Sequence, residues 1–302
     1  PGEHDRLSAP AGRNAGRAPD GCRNRRRKRQ LIPVTGQHQN RVHSQLDNVA
    51  LADFLYGLPA VSRPIIREWF RSGHDVEWKA DDSPVTMADK SVELALREAL
   101  AAQFPDDDIL GEEHADQRGT SGYGWVIDPI DGTRAFICGR PVFGTLIGLV
   151  RDGVPLAGFI DMPMVDECYV AVGGAATMNR TPIRTSRVTE LSCARIATTS
   201  PEALKPDSLD AFNRLSAASA TSTYGGDCHN YALLAAGHVD IVLEDGLATH
   251  DIMGVVEVIR AAGGIVTDKT GAAVTMQGTD SLLAASTPEL YAAALALVGK
   301  SG

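Results

Sequence analysis

Asp128 and Asp131 stand three residues apart in Trp-Val-Ile-Asp-Pro-Ile-Asp-Gly-Thr-Arg-Ala-Phe, residues 125–136. An apolar run of β character, Trp125 to Ile127, ends abruptly at these acids. Two carboxylates at the mouth of a strand can converge on one point. Pro129 fixes φ and Gly132 permits a sharp reversal, so the turn is stiff where the charges gather. Carboxylates that close repel unless a cation sits between them, and hard oxygen donors suit Mg²⁺. An ordinary Asp-Pro/Asp-Gly turn uses the same residues. Within this stretch alone the two readings stand level.

The elements that must position these acids come from hydrophobic period. Val49, Phe54, Leu58, Ile65 and Trp69 mark helix from Leu46 to about Phe70, interrupted near Pro59 and Pro64. Val76–Lys79 reads as a short strand before a polar loop at 80–86. Val92, Leu96, Leu100 and Phe104 recur every four residues, so about 87–104 is an amphipathic helix. Ile109-Leu110 is a brief strand ending in Gly111-Glu112-Glu113. Phe143–Arg151 and Pro155–Met162 flank Asp152-Gly153 as a β-hairpin. Glu167–Val172 continues the sheet, and 175–183 is a further turn between strands. Ala194–Thr198 and Val239–Leu243 are strands, and Asp227–Ala236 is a helix. Asp251 precedes a helical pattern closed by Gly263-Gly264, which assigns it as an acidic cap. The order of elements is mixed α/β, with a polar joint near 185–190.

The 302 residues, 43% hydrophobic, suffice for one large core or two fused ones. No run of about 18 apolar residues marks a membrane span. Five scattered cysteines without a Cys-x-x-Cys pair argue against a disulfide framework or zinc site and for a reducing, cytoplasmic setting. Net charge is −9, but residues 1–45 carry about +7, leaving −16 for the rest. That Arg-rich first segment has no apolar period and is expected to be disordered. It is a transit peptide, a nucleic-acid arm or a functionless extension. The acidic body argues against nucleic acid as the main partner.

Four places put acids where elements end: Asp89, Glu112-Glu113, Asp128/Asp131 and Asp251. Each alone has a dull explanation, as helix cap or solvated loop. Together they suggest one acidic pocket. Here the chain resembles the inositol monophosphatase family of Mg²⁺-dependent phosphatases. The likeness is carried by Asp82-Ser83-Pro84-Val85-Thr86-Met87-Ala88-Asp89, Gly111-Glu112-Glu113, Asp128-Pro129-Ile130-Asp131-Gly132-Thr133, and Asp251 before a helix ending in Ala262-Gly263-Gly264. It covers nearly all of residues 46–290.

The resemblance implies a layered αβαβα sandwich of the inositol monophosphatase and fructose-1,6-bisphosphatase type. The catalytic domain would be 46–302, with halves 46–188 and 189–302. Glu112, Asp128 and the Ile130 carbonyl would hold one metal, and Asp128 would bridge to a second held by Asp131 and Asp251. Two or three Mg²⁺ would serve a water-mediated hydrolysis of a phosphate monoester. Glu112 and Thr133 would place the attacking water, with Asp89 holding the Thr133 hydroxyl. Gly132 and Thr133 N–H groups would meet phosphate oxygens. Lys79 and Glu113 would tune the charge nearby. The resemblance also implies a homodimer.

Within that family, three segments look like the histidinol-phosphate phosphatase branch. They are Arg134-Ala135-Phe136-Ile137 with Gly139 to Ile147, Thr198-Thr199-Ser200-Pro201, and Tyr224-Gly225-Gly226-Asp227-Cys228. L-histidinol phosphate carries an ammonium and an imidazole, which Asp227 or Glu244 could pair with. Arg134 would face the phosphate or the surface. The alternatives are inositol 1-phosphate and, behind it, a sugar or nucleotide phosphate. Three departures from the family pattern stand out. His250 replaces the aromatic before Asp251 and is read as a packed ring rather than a metal ligand. Gly254 stands where relatives have alanine. Arg180 occupies a turn position that favours Gly and implies local strain.

Overall fold

The computed structural model describes residues 42–72, 77–78, 84–85 and 87–299. The Arg cluster at 23–29, Lys79, and the loop from Asp82 to Thr86 other than Pro84-Val85 lie outside the described residues.

Helices α1 (Asn48–Gly57) and α2 (Pro59–Trp69) follow each other directly, with Pro59 as the first residue of α2. Only Pro59 marks a break. Pro64, expected to interrupt the chain, lies inside α2. Together the pair is long and apolar enough to cross a membrane by length and composition, 22 residues of mean hydropathy 1.3. Its apolar side is already in use, however, because Leu51, Leu55, Leu58 and Ile66 are buried in the protein core. A two-residue ladder, β1 (Glu77–Trp78) with β2 (Pro84–Val85), leads to α3 (Met87–Gln103).

The larger sheet has seven strands in sequential order. They are β3 (Asp108–Gly111), β4 (Tyr123–Asp131), β5 (Gly144–Arg151), β6 (Val154–Met162), β7 (Glu167–Val172), β8 (Ala175–Met178) and β9 (Thr181–Pro182). β3 and β4 run parallel and the other neighbours antiparallel. The short helix α4 (Thr133–Ile137) follows β4.

The smaller sheet is built from β10 (Arg195–Thr198), β11 (Thr221–Tyr224), β12 (Ile241–Asp245), β13 (Ile265–Thr267) and β14 (Ser281–Ala285). Its order is β11-β10-β12-β14-β13. α5 (Pro206–Ala218), α6 (Cys228–Ala235), α7 (Thr249–Ala261) and α8 (Pro288–Val298) complete the chain.

Alternation along the strands sets the layers. On β4, Trp125 and Ile127 join Leu51, Leu55, Val92, Leu96 and Leu100 in the outer core beneath α1–α3. Val126 points the other way, into a core shared with Tyr231 and Leu234 of α6, Val255 and Ile259 of α7, and Val242 and Ala284 of the smaller sheet. A third core beyond that sheet joins Ile241, Leu243 and Leu283 to Phe212, Leu215, Leu290 and Ala294. The result is helices, seven strands, helices, five strands, helices. This is the expected αβαβα order.

Close backbone approach seats α7 on the large sheet. A Cβ at Gly148 would lie 2.6 Å from the Met253 carbonyl carbon and oxygen, and one at Gly158 would lie 2.5 Å from the Gly254 carbonyl oxygen. The same packing accounts for Gly254, where a Cβ would sit 2.9 Å from the Leu146 Cβ. Gly148→Ala should therefore cost about 1–3 kcal/mol through overpacking. A lowered denaturant midpoint checks this, and a wild-type midpoint would show the interface to be loose.

The turn joining β8 to β9 carries the strain expected of Arg180. Asn179 and Arg180 have φ of 47° and 65°. Compensating contacts hold it: the Arg180 N–H donates to the Tyr56 hydroxyl at 2.9 Å, and its guanidinium lies 4.6 Å from the centre of that ring and pairs with Asp53.

Candidate metal and substrate site

Two residues three apart in a regular strand face opposite sides of the sheet. Asp128 and Asp131 escape this rule because β4 carries a bulge. Asp128 pairs with Leu146 and Asp131 with Gly144, so two residues of β4 oppose the single Thr145. The Thr145 hydroxyl donates to the Pro129 carbonyl at 2.8 Å and holds the bulge in place. Asp128 Oδ1 accepts from the Ile130 N–H at 3.1 Å. The turn is thus an extension of the strand, ended by Gly132 at φ 86°.

Parallel pairing brings in the next acid. Gly111 of β3 sits beside Ile127 of β4, so the residues that follow, Glu112 and Asp128, emerge together. The Glu112 loop is pinned from α3. Glu93 accepts from the Glu113 and His114 N–H groups at 2.7 and 3.1 Å and is itself bound by Arg97 at 2.7 Å. Any side chain at Gly111 would collide with the Glu93 carboxylate.

Asp251 arrives from the other half of the chain. It is the third residue of α7 rather than its cap, and its carboxylate accepts from the Ala248 N–H at 2.7 Å. Asp131 is oriented by the start of α6, where the Cys228 N–H donates to it at 2.6 Å. Gly144 permits that approach, since a Cβ there would lie 2.7 Å from the Cys228 Sγ.

Two groups of potential ligand atoms result, each within 4.8 Å: Glu112, Asp128 and His250, and Asp128, Asp131 and Asp251. Asp128 belongs to both. Burial, then the nearby charges of Glu112, Asp131 and Asp251, pushes the Asp128 carboxyl well above the usual range. Burial, Asp227 and Asp251 do the same to Asp131. Acids this crowded are stable as anions only with positive charge among them. The donor set fits hard divalent cations.

The Thr133 hydroxyl donates to the Ile130 carbonyl at 3.2 Å. Asp89 itself is fully buried in the first turn of α3.

The cluster opens into a cavity of about 720 Å³ whose lining includes Gly132, Thr133, Arg134, Arg140, Thr199, Asp227, Glu244 and His250. Asp227 stands at the N-cap position of α6, but its side chain does not cap the helix. It has φ 46° and makes no capping hydrogen bond, and its carboxylate packs over Gly132. Burial raises it to about 6, while the charges of Arg140 and Arg134 hold it down. Glu244 is raised to about 7 by burial, opposed by hydrogen bonds. The Thr199 N–H and hydroxyl donate to its Oε1 at 3.0 and 2.7 Å, and the Tyr231 hydroxyl donates to Oε2 at 2.9 Å.

Sequence reading did not single out Thr199, Tyr231 and Arg140. Each lies in or beside a segment that carries the resemblance, but nothing in a single sequence shows which side chain faces Glu244 or Asp227. His250 also departs from expectation. Its ring faces the acids, with Nε2 3.9 Å from Glu112 Oε2 and 3.7 Å from Asp251 Oδ1, and is not packed as a plain aromatic substitute.

The chain is 40% identical over 232 residues to the bifunctional phosphatase IMPL2, chloroplastic, of Arabidopsis thaliana, covering 76% of this chain and 67% of that one. It is 35% identical over 195 residues to a histidinol-phosphatase of Chlorobaculum parvum, covering 64% and 75%. An inositol monophosphatase from Zymomonas mobilis superposes with a TM-score of 0.75 at 37% identity, covering 83% of this chain and 98% of its own. The sequence model of the inositol monophosphatase family matches residues 47–302. The chain therefore belongs to the inositol monophosphatase family and is a phosphatase.

Proposed function

We propose that this phosphatase hydrolyses L-histidinol phosphate with Mg²⁺ bound by Glu112, Asp128, Asp131, Asp251 and the Ile130 carbonyl. The observation that carries the substrate is a pair of acids, Asp227 and Glu244, lining the same cavity as the metal cluster. A cationic leaving group matches these two acids, Glu244 buried and Asp227 half-buried, better than a neutral polyol does. The name of the Chlorobaculum parvum relative supports the same reading.

Bound divalent ions supply Lewis-acid polarisation of the phosphoryl group and an ionised water. The chain's own residues do the rest. Glu112, anchored through Glu93, and Thr133 orient the attacking water. The Gly132 and Thr133 N–H groups, at the end of β4, face phosphate oxygens, and Arg134 adds positive charge on that side. Asp89 acts as buried support at the start of α3. Glu113 adds charge near the loop. Asp227 and Glu244 receive the ammonium and imidazole.

Inositol 1-phosphate is the second reading, supported by the 37% identity to the Zymomonas mobilis protein. Mg²⁺-dependent phosphate release from the two esters separates them.

A further inference from the structure

His250 is the only histidine in the cavity lining among the described residues. Its Nε2 lies 3.9 Å from Glu112 and 3.7 Å from Asp251, too far for hydrogen bonds. Two ligands of one ion, each with a bond of about 2.1 Å, stand roughly 3–4 Å apart. The spacing suits donors that share a cation. A ring nitrogen of His250 also groups with Glu112 and Asp128 oxygens within 4.8 Å, while the neighbouring group of Asp128, Asp131 and Asp251 offers oxygen alone. The ring is held there because its residue is the second of α7, one before Asp251, on a helix packed against the large sheet.

We propose that His250 Nε2 is a ligand of the ion on the Glu112 side. That position then has one nitrogen donor and discriminates less in favour of Mg²⁺ against divalent transition ions than the all-oxygen set on the Asp131 side. This rests on the two-ion reading above, and the test separates their failures.

The test loads the full chain with Mn²⁺, without substrate. Electron spin-echo modulation should show a directly bound ¹⁴N, and the signal should vanish in His250→Phe. Calorimetry should show one Mn²⁺ equivalent weakened by roughly 10-fold or more in that variant, with the other unchanged. His250→Gln, which keeps a polar side chain of similar reach, should also lose the nitrogen signal. Mn²⁺ bound without nitrogen modulation, or modulation that persists in both variants, overturns the His250 assignment alone. No Mn²⁺ bound at all overturns both it and the two-ion reading.

Discussion

Asp131→Asn should lower Mg²⁺-dependent phosphatase activity by at least about 10²-fold while making the metal-free protein more stable. The first half follows from its place between the ion group and α6. A bound metal supplies several kcal/mol of transition-state stabilisation, and each 1.36 kcal/mol is tenfold in rate. The amide oxygen of Asn can still accept the Cys228 N–H, so the orientation of α6 survives.

The second half follows from linkage. Asp131 has a folded value raised above the ordinary one, so the folded state holds a proton that the unfolded chain has released. Metal-free stability therefore falls as pH rises from near 3.8 through the raised value. Removing the carboxylate removes that loss. A relief of about 1 kcal/mol would raise Tm by roughly 2–4 °C in a chain of this size. Melting curves in chelator at neutral pH, beside steady-state rates in Mg²⁺, check both halves. An Asn variant that stays fully active would contradict the metal assignment. One that is inactive and less stable would mark Asp131 as a structural residue.

Glu244→Gln should separate substrates. It should reduce kcat/KM for histidinol phosphate by about 10-fold or more, the range of a lost charge-assisted hydrogen bond, and leave inositol 1-phosphate within a few-fold. The wild-type preference should depend on pH with a definite sign. Glu244 and Asp227 are raised to about 7 and about 6, so both are largely neutral at pH 5.5 and ionised at pH 8. kcat/KM for the cationic ester should therefore rise across that interval relative to the inositol ester, and the Gln variant should flatten the rise. Stability runs the other way, because a carboxyl raised from 4.5 to about 7 makes the folded state less favourable as pH climbs between those values. A pH-independent substrate ratio in the wild type would remove Glu244 from substrate recognition.

Much of this site was legible in the sequence because its acids sit at element ends, where a few local residues fix the backbone. Asp128, Asp131 and Gly132 could be placed from their own turn chemistry. The bulge opposite Thr145 could not, since it depends on the pairing of β4 with β5. Asp251 reads as a cap from the sequence, but α7 begins at Thr249, three residues before the onset which that reading implies. Strand β11, Thr221–Tyr224, has no apolar alternation, and only its parallel pairing with β10 makes it a strand. β13, β14, α5 and α8 likewise carry little local signal; α8 is built mainly of alanine and leucine, which leaves little contrast between its faces. The orientation of His250 was hidden for another reason. A ring beside a metal ligand can pack inward or face the ions, and a single sequence carries no signal that decides between them.

The most direct measurement is phosphate release in Mg²⁺ from histidinol phosphate, inositol 1-phosphate and 3′-phosphoadenosine 5′-phosphate, compared by kcat/KM at pH 8. Histidinol phosphate should lead by about 10-fold or more, with no release in chelator. Equal or faster turnover of inositol 1-phosphate would contradict the account of Asp227 and Glu244, and full activity in chelator would contradict the metal centre itself.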